Sequence, residues 1–346
     1  MTRYLFALPA KDRPIGGKNV LLWMVDRLAH AGHETYPLYP IRRHRYDFAS
    51  GHLVGFHDPA LLDALVPARR EKAQARLLDV VKPALHARLA LAPDDVIVVP
   101  EFRYPEIAAV YPENRRILVV QDVFGFARAL SRDLAAGGDA LSEFDAVLTT
   151  SEASTAAVAS FAGMAAERLY LAVPPHRFGE TKKKIVAYMP RKRAAETRMV
   201  TAILAGMPEF ADWRFVPIER MPQADLARLY EEALVFLSFS QEEGFGLPPA
   251  EAMTAGCVVI GYTGVGAEEY FDATTGFPVP DGDIVAFVET ARRVAKEHAT
   301  DPGAFDALRR RASDRIRGTY SAERAEKTLA AVWADLDRRL AGPGKG

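Results

Sequence analysis

The sequence predicts an α/β protein with two domains, and three observations support this fold class. The chain has 346 residues, enough for two domains that each bury a sizeable core. Hydrophobic residues make up 49% and charged residues 26%, which are values typical of globular proteins. Short apolar runs, such as residues 96–99 and 116–120, alternate with helical segments, as in proteins built on buried strands.

The same patterns predict the other elements. Further strands are expected at residues 4–8, 34–39, 146–149, 169–172, 184–188, 213–218, 234–239 and 257–260. Helices are expected at residues 19–31, with Asn19 as the cap, and at 152–161, 194–205, 225–233, 283–297, 305–317 and 321–340. Residues 61–89 are predicted to be mostly helical, with proline interruptions.

The most informative stretch is residues 237–266, LSFSQEEGFGLPPAEAMTAGCVVIGYTGVG. A glycine-bearing loop with two acids follows the strand at 234–239. Pro248 and Pro249 then favour a helix start, where a missing N–H has no helical partner to lose. Gly256 favours the end of that helix. After the next strand, Gly264 and Gly266 predict a second flexible loop.

This stretch has the chemistry of a nucleotide-sugar site. The first turn of a helix has unpaired N–H groups and the positive end of the helix dipole, and phosphate binds there readily. The carboxylates of Glu243 and Glu251 flank the turn, and an ionised carboxylate accepts hydrogen bonds from hydroxyl groups. The alternative for each feature alone is structural, since a first-turn Glu is favourable in any helix and Gly-Phe-Gly makes tight turns.

The segment EGFGLPPAE, from Glu243 to Glu251, resembles the E-x7-E motif of retaining GT-B glycosyltransferases of the family 4 type. Gly264, Gly266 and the acids at 268–269 resemble that family's glycine-and-acid loop. The resemblance implies a GT-B architecture, in which two Rossmann-like domains with parallel sheets face each other across a cleft. It also implies domains at residues 1–174 and 175–320, and a last helix at 321–346 that packs back on the first domain.

The resemblance assigns roles to individual residues. Glu243 would accept from sugar hydroxyls, and Glu251 from the ribose. The loop and first turn around them, and a glycine pair in the first domain, would bind the rest of the nucleotide sugar. These further residues are Phe245, Gly246, Leu247, Gly16 and Gly17.

Cations follow the strand at 184–188. Such cations can hold a diphosphate, Arg bidentately and Lys as a point charge. The family has Gly-Arg followed by Lys about five residues later, whereas this chain has Pro190-Arg191 and a glutamate at that later position. Arg191 is therefore the first expected diphosphate ligand, and either Lys192 or Arg193 is the second.

Asp122 is the acceptor-side candidate of the first domain. The family often has His-Asp after the strand at 116–120, but here Gln121 replaces the histidine. Gln-Asp at this point, and YMPRKR at 188–193, resemble the rhamnan-type rhamnosyltransferase subgroup. That subgroup implies a deoxythymidine-diphosphate deoxysugar such as dTDP-rhamnose as donor, and a polysaccharide or lipid-linked glycan as acceptor. The structural alternative for Asp122 is a capping acid.

Composition sets the expected partners and compartment. The formal net charge is −1, so we expect no nucleic-acid partner. The lone Cys257 cannot form an internal disulfide, and no apolar run approaches the roughly 20 residues of a spanning helix. We therefore expect a cytoplasmic protein that uses no cofactor and no metal. The basic cluster at 42–45 is either a solvated face or a contact with an anionic acceptor or the inner membrane.

Three other functions compete with sugar transfer. A nucleotide-sugar epimerase of the same fold needs an acid that abstracts a proton near the sugar C2, and no clear set of acids is present. A non-catalytic sugar-nucleotide binding protein would keep the same cleft without turnover. A hydride-transfer enzyme is disfavoured, since the dinucleotide fingerprint G-x-G-x-x-G is absent after the first strand.

Overall fold

The computed structural model describes residues 2–10, 16–44, 46, 54–66, 72–73 and 86–340. The chain divides into two compact units. The first comprises residues 1–150, 154–169 and 326–346, and the second comprises residues 151–153 and 170–325. Each unit has its own parallel sheet with helices, so the predicted α/β fold class is confirmed. The predicted domain limits at 174 and 320 remain predictions.

The first unit is built on a parallel sheet that, in the described residues, has eight strands in the order β4-β3-β2-β1-β5-β6-β7-β8. The order reverses between β1 and β5. Crevices at such switch points, beyond the carboxyl ends of the strands, are where open α/β sheets bind ligands. The strands are β1 Arg3–Ala7, β2 Glu34–Tyr39, β3 Phe56–His57, β4 Ala87–Arg88, β5 Val96–Pro100, β6 Arg115–Val120, β7 Ala146–Thr149 and β8 Glu167–Arg168.

Helices cover this sheet because its strands are apolar on both faces. Residues of β5 and β6 are almost all buried, as expected for parallel strands between two helical layers. The helices with defined ends in the described residues up to 162 are α1 Gly16–His30, α2 Leu61–Leu65, α3 Tyr104–Val110, α4 Val123–Ala135 and α5 Glu152–Ala162. The helix α11, Ala322–Leu340, adds Leu329, Trp333 and Leu336 to the same core as Tyr4 and Phe6.

The second unit has a sheet in the order β10-β9-β11-β12-β13. The central strand β11 is buried along its whole length. Its strands are β9 Lys183–Tyr188, β10 Arg214–Pro217, β11 Ala233–Phe239, β12 Val258–Tyr262 and β13 Phe277–Pro278. Its helices are α6 Ala194–Ala205, α7 Gln223–Glu232, α8 Leu247–Thr254, α9 Ile284–Thr300 and α10 Asp306–Thr319.

Three predicted elements of the first unit were wrong in detail. Asn19 does not cap α1, which begins at Gly16; its side chain instead accepts a hydrogen bond of 2.5 Å from the hydroxyl of Tyr46. The strand predicted at 169–172 is the short β8, Glu167–Arg168. Leu169 makes one more hydrogen bond to β7, at 2.8 Å to the carbonyl of Thr149, and the segment then leaves the sheet. The helical prediction for 61–89 is confirmed at Leu61–Leu65 and wrong at Ala87–Arg88, which pair with Phe56–His57 as β4. Most of the residues between them lie outside the described residues.

Candidate functional site

A pocket lies at the carboxyl ends of β9 and β11 in the second unit. The polypeptide emerging from β9 supplies Arg191 and Lys192, and that from β11 supplies Glu243. Parallel pairing of β9 with β11 places these two ends side by side. The other lining residues come from the same strand ends and from the first turn of α8: Met189, Phe236, Leu237, Ser238, Phe239, Ser240, Pro248 and Pro249.

Opposite charges meet within this pocket. The Lys192 ammonium lies 2.9 Å from the carboxylate of Glu243, and the Arg191 guanidinium lies 4.0 Å from the same oxygen. The Glu243 side chain is 20% exposed, whereas that of Arg191 is 60% exposed. The pocket therefore presents one accessible guanidinium next to a carboxylate that is already held by a cation.

The loop that contains Gly264 and Gly266 packs against the backbone of Glu243. The Glu243 amide donates to the carbonyl of Gly264 at 3.0 Å, and the Gly266 amide donates to the carbonyl of Glu243 at 3.1 Å. A Cβ at position 266 would lie 2.5 Å from that carbonyl oxygen, which is too close for any side chain. Gly264 and Gly266 thus allow two loops to pack closely, and this packing fixes the backbone of Glu243.

Helix α8 begins at the pocket with an unusual first turn. Gly246 precedes it with a φ of +84°, a left-handed conformation that favours glycine. Pro248 and Pro249 have no backbone N–H, so of the first four helical residues only Leu247 and Ala250 have N–H groups to offer. The first turn of α8 therefore offers an anion only two backbone N–H donors.

Phe245 lies behind this turn and not in the pocket lining. Its ring is buried, 5.1 Å from the ring of Tyr270 and 4.9 Å from that of Tyr320. The Tyr270 hydroxyl donates to the carbonyl of Gly246. This aromatic cluster supports the turn that joins the Glu243 loop to α8.

Glu251 lies one turn further along α8. Its side chain is half-buried, and burial raises the pKa of its carboxyl to about 7. It is not among the residues that line the pocket around Glu243. A carboxyl with a pKa near neutrality exists in both protonation states at physiological pH, so it acts as donor or acceptor depending on pH.

Arg193 points away from this pocket. Its side chain is 11% exposed, and its guanidinium lies 4.7 Å above the ring of Tyr262 and pairs with Glu196 at 3.1 Å and with Asp281. Lys192 is therefore the cation that accompanies Arg191 in the pocket. Nothing in the sequence distinguished these neighbours, because the direction of each side chain depends on the turn after β9.

The other predicted residues lie at the carboxyl edge of the sheet in the first unit. Gly16 and Gly17 form the start of α1, and a Cβ at Gly17 would touch the side chain of Gln121 at 3.5 Å. Asp122 is the N-cap of α4, where its carboxylate accepts a hydrogen bond of 3.0 Å from the amide of Phe124.

Glu101, which was not among the predicted site residues, is buried at the same edge. It follows β5 directly, and one of its carboxylate oxygens accepts from the Gln121 amide at 3.3 Å. Burial, with a smaller contribution from the nearby Asp122, raises its pKa to about 8. An acid that directly follows a buried strand was the available sequence signal.

The basic cluster at 42–45 is only partly a surface feature. Arg42 is exposed and Arg43 is half-buried, but His44 is buried and its ring nitrogen lies 2.7 Å from the ammonium of Lys18. Arg45 lies outside the described residues. His44 therefore belongs to the interior and not to a solvated face.

Solved structures of other proteins share this chain path. Sucrose-phosphate synthase (tll1590) from Thermosynechococcus elongatus aligns with 98% of this chain and 100% of its own, with a TM-score of 0.63 and 15% identity. Anabaena Alr3699/HepE, solved with UDP and glucose, aligns with 96% of this chain and 99% of its own, with a TM-score of 0.64 and 13% identity. The protein has the GT-B fold.

Comparison of the sequence with known proteins gives a match in the second unit. Residues 216–315 match the family described as Glycosyl transferases group 1. An Alpha-1,6-glucosyltransferase from Actinobacillus pleuropneumoniae serotype 7 (strain AP76) is 31% identical over 108 residues, which are 30% of this chain and 33% of the relative. The match thus spans about a third of that curated relative. Among the helices of the described residues, none is both long and apolar enough to span a membrane.

Proposed function

We propose that this protein is a glycosyltransferase that moves a sugar from a nucleotide-diphosphate donor to a polysaccharide or lipid-linked glycan acceptor, with retention of the anomeric configuration. The pocket in which Arg191 and Glu243 meet the first turn of α8 carries this proposal. It combines a cation for a diphosphate with a carboxylate for hydroxyl groups, as a nucleotide sugar requires.

In this mechanism the bond between the anomeric carbon and the diphosphate breaks, and its electron pair leaves with the phosphate. A new bond forms to the acceptor oxygen, whose proton is released. Arg191 and the start of α8 would stabilise the charge that develops on the leaving diphosphate, usually the largest catalytic contribution. Glu243 would hold the sugar by its hydroxyls, and Glu251 would accept from the ribose. Asp122 is proposed to act on the acceptor side, and Gly16 and Gly17 near the donor phosphate.

Two donors are the first to test. UDP and glucose are bound in the solved Alr3699/HepE structure, and the curated relative is named as a glucosyltransferase, which favours UDP-glucose. The Gln121-Asp122 and Arg191 segments favour a deoxysugar donor such as dTDP-rhamnose. We propose that binding needs neither a metal nor a cofactor, since Arg191 and the helix start supply positive charge.

The test joins donor binding to donor consumption. A donor at 100 times its Kd should stabilise the native protein by about 2.7 kcal/mol and raise the melting temperature. Release of the nucleoside diphosphate should then follow when a glycan acceptor is added. Glu243→Gln should slow this release about 100-fold. Glu242→Gln, a change in the exposed neighbouring acid, is the matched control and should alter the rate less than twofold.

The alternatives give different results in the same assay. Absence of any melting shift with the nucleotide sugars would overturn the proposal. Binding without release of a nucleoside diphosphate in any acceptor mixture would favour a non-catalytic binding protein. Conversion of the donor into an isomeric nucleotide sugar would identify an epimerase.

We also propose that Arg42 and Arg43 contact an anionic acceptor or the inner-membrane surface, on the basis of their adjacent charges and the exposure of Arg42. Neutralising both, with Arg42→Gln and Arg43→Gln, should weaken binding to vesicles that contain anionic lipid. Unchanged vesicle binding would rule out the membrane contact.

A further inference from the structure

The ammonium group of Lys192 is fully occupied by the loop that carries Glu243. Its nitrogen lies 2.7 Å from the carbonyl oxygen of Gln241, 2.9 Å from that of Glu242 and 2.9 Å from the carboxylate of Glu243. An ammonium has three N–H donors and no acceptor. All three therefore have partners within the protein before any ligand is bound.

The loop needs a cation at this point. Glu242 has a φ of +47°, a left-handed conformation that is unfavourable for a residue with a side chain. In this conformation the carbonyls of Gln241 and Glu242 both approach one point, where their negative ends repel each other. Lys192 supplies the charge that holds these two carbonyls and the Glu243 carboxylate together.

Arg191 is in the opposite situation. Its side chain is 60% exposed, and its nearest contact to Glu243, at 4.0 Å, is too long for a hydrogen bond. Its guanidinium can therefore turn towards a ligand without breaking a hydrogen bond to that carboxylate.

We infer that Lys192 is a positioning residue: it holds the loop at residues 241–243 and the Glu243 carboxylate in place, and leaves Arg191 to bind the diphosphate. Lys192 and Arg191 then have different roles, whereas the sequence predicted two cations that bind the diphosphate together. It rests on the proposed function only for what Glu243 and Arg191 bind, because the loop contacts involve no ligand.

The first measurement uses no ligand. Hydrogen–deuterium exchange of the segment that contains Glu243 is compared in the wild type, Lys192→Met and the matched variant Arg191→Met. We expect exchange at the Glu243 amide to become at least about tenfold faster in Lys192→Met, since the loop opens more often. Arg191→Met should leave it unchanged. Unchanged exchange in Lys192→Met would overturn the inference. Lys192→Gln, which keeps the site polar, gives the same comparison if the methionine variant does not fold.

The second measurement asks whether Lys192 acts through Glu243. With UDP as the probe, Arg191→Met should raise the Kd about tenfold, and Lys192→Met less than threefold. In the donor-consumption assay, Lys192→Met should lower kcat with little change in KM. The double variant Lys192→Met, Glu243→Gln should be no slower than Glu243→Gln alone, whereas a separate role would make the two effects add.

Two results separate this inference from the proposed function. An equal loss of UDP affinity in Lys192→Met and Arg191→Met, with unchanged exchange, would show that Lys192 binds the diphosphate and would overturn the inference. Failure of the wild type to bind UDP or any nucleotide sugar would overturn the proposed function, while the exchange experiment would still decide the role of Lys192.

Discussion

The carboxyl groups of Glu101 and Asp122 converge on Gly125 at the start of α4. A Cβ at that glycine would lie 3.3 Å from an oxygen of Glu101 and 3.4 Å from an oxygen of Asp122. Burial of Glu101, together with repulsion from the Asp122 carboxylate, raises the pKa of Glu101 to about 8. The edge of the first sheet therefore holds a proton at neutral pH.

This proton makes the stability of the protein depend on pH. Between the unfolded pKa of about 4.3 and the folded value, the folded state binds a proton that the unfolded state has lost. The contribution of Glu101 to the free energy of unfolding is thus greatest below about pH 4. It falls by up to about 1.4 kcal/mol per pH unit as the pH rises, until the folded pKa is passed. Glu101→Gln should remove this fall, so its melting temperature should gain on the wild type from pH 5 to pH 8.

The control for this prediction is Glu113→Gln, which replaces an exposed acid after α3. Its melting temperature should stay parallel to that of the wild type over the same range. If the melting temperature of Glu101→Gln also stayed parallel to that of the wild type, Glu101 would already be ionised at pH 5 in the folded protein.

Much of the fold could be predicted because the apolar pattern of the sequence marks the buried positions of strands and helices. The strand Glu34–Tyr39 and the helix Ala194–Ala205 have the predicted ends. The start of α1 could not be predicted, because the capping side chain of Asn19 is used by Tyr46, a residue distant in sequence. The preference of a residue for a helix start has no effect when tertiary contacts occupy its side chain.

The site could be predicted in its residues but not in the direction of its side chains. The acids and cations around the pocket were visible from motif spacing. However, Lys182, Lys192 and Arg193 look alike in the sequence and have three different environments. Glu101 went unnoticed as a site residue for a related reason, since its importance comes from burial beside Asp122.

Glu251 predicts pH-dependent binding of the donor. If only its ionised form accepts from the ribose, and its pKa is about 7, then the apparent affinity for UDP should rise about tenfold between pH 6 and pH 8. Glu251→Gln should bind more weakly at pH 8 and lose this dependence. Calorimetric titration of UDP at pH 6, 7 and 8 measures both effects. The phosphate of UDP titrates identically in both proteins, so an equal pH dependence in the variant would contradict the prediction.

Gly246→Ala should destabilise the second unit by about 2 kcal/mol. The added methyl group must adopt a φ of +84° and would lie 3.0 Å from the hydroxyl of Tyr270. The matched control is Gly206→Ala at the end of α6, where φ is −84° and the nearest atoms are 3.6 Å away. That change should be neutral or slightly stabilising. Urea unfolding measures both, and similar losses for the two variants would refute the conformational argument.

Lys182 should contribute more to stability than an ordinary surface lysine. Its ammonium donates to the carbonyls of Tyr230, Glu231 and Ala255, at 2.8 to 2.9 Å, and so satisfies the ends of both α7 and α8. Lys182→Met leaves these carbonyls without that donor and should cost about 2–3 kcal/mol. The neighbouring Lys183, 62% exposed in a pair with Glu232, is the control, and Lys183→Met should cost less than about 0.5 kcal/mol. Equal melting temperatures for the two variants would mean that the carbonyls find other donors.

The place of α11 in the first core has a consequence for biosynthesis. Trp333 is buried against Tyr4 and Phe6 in the first strand, and Tyr4 donates a hydrogen bond to Asp337, 333 residues later in the chain. In a nascent chain, part of one face of the first sheet therefore stays uncovered until Leu329, Trp333 and Leu336 of α11 are synthesised, and residues 170–325 all precede them. We expect the second unit to complete its folding first, so that the order of maturation on the ribosome reverses the order of the sequence.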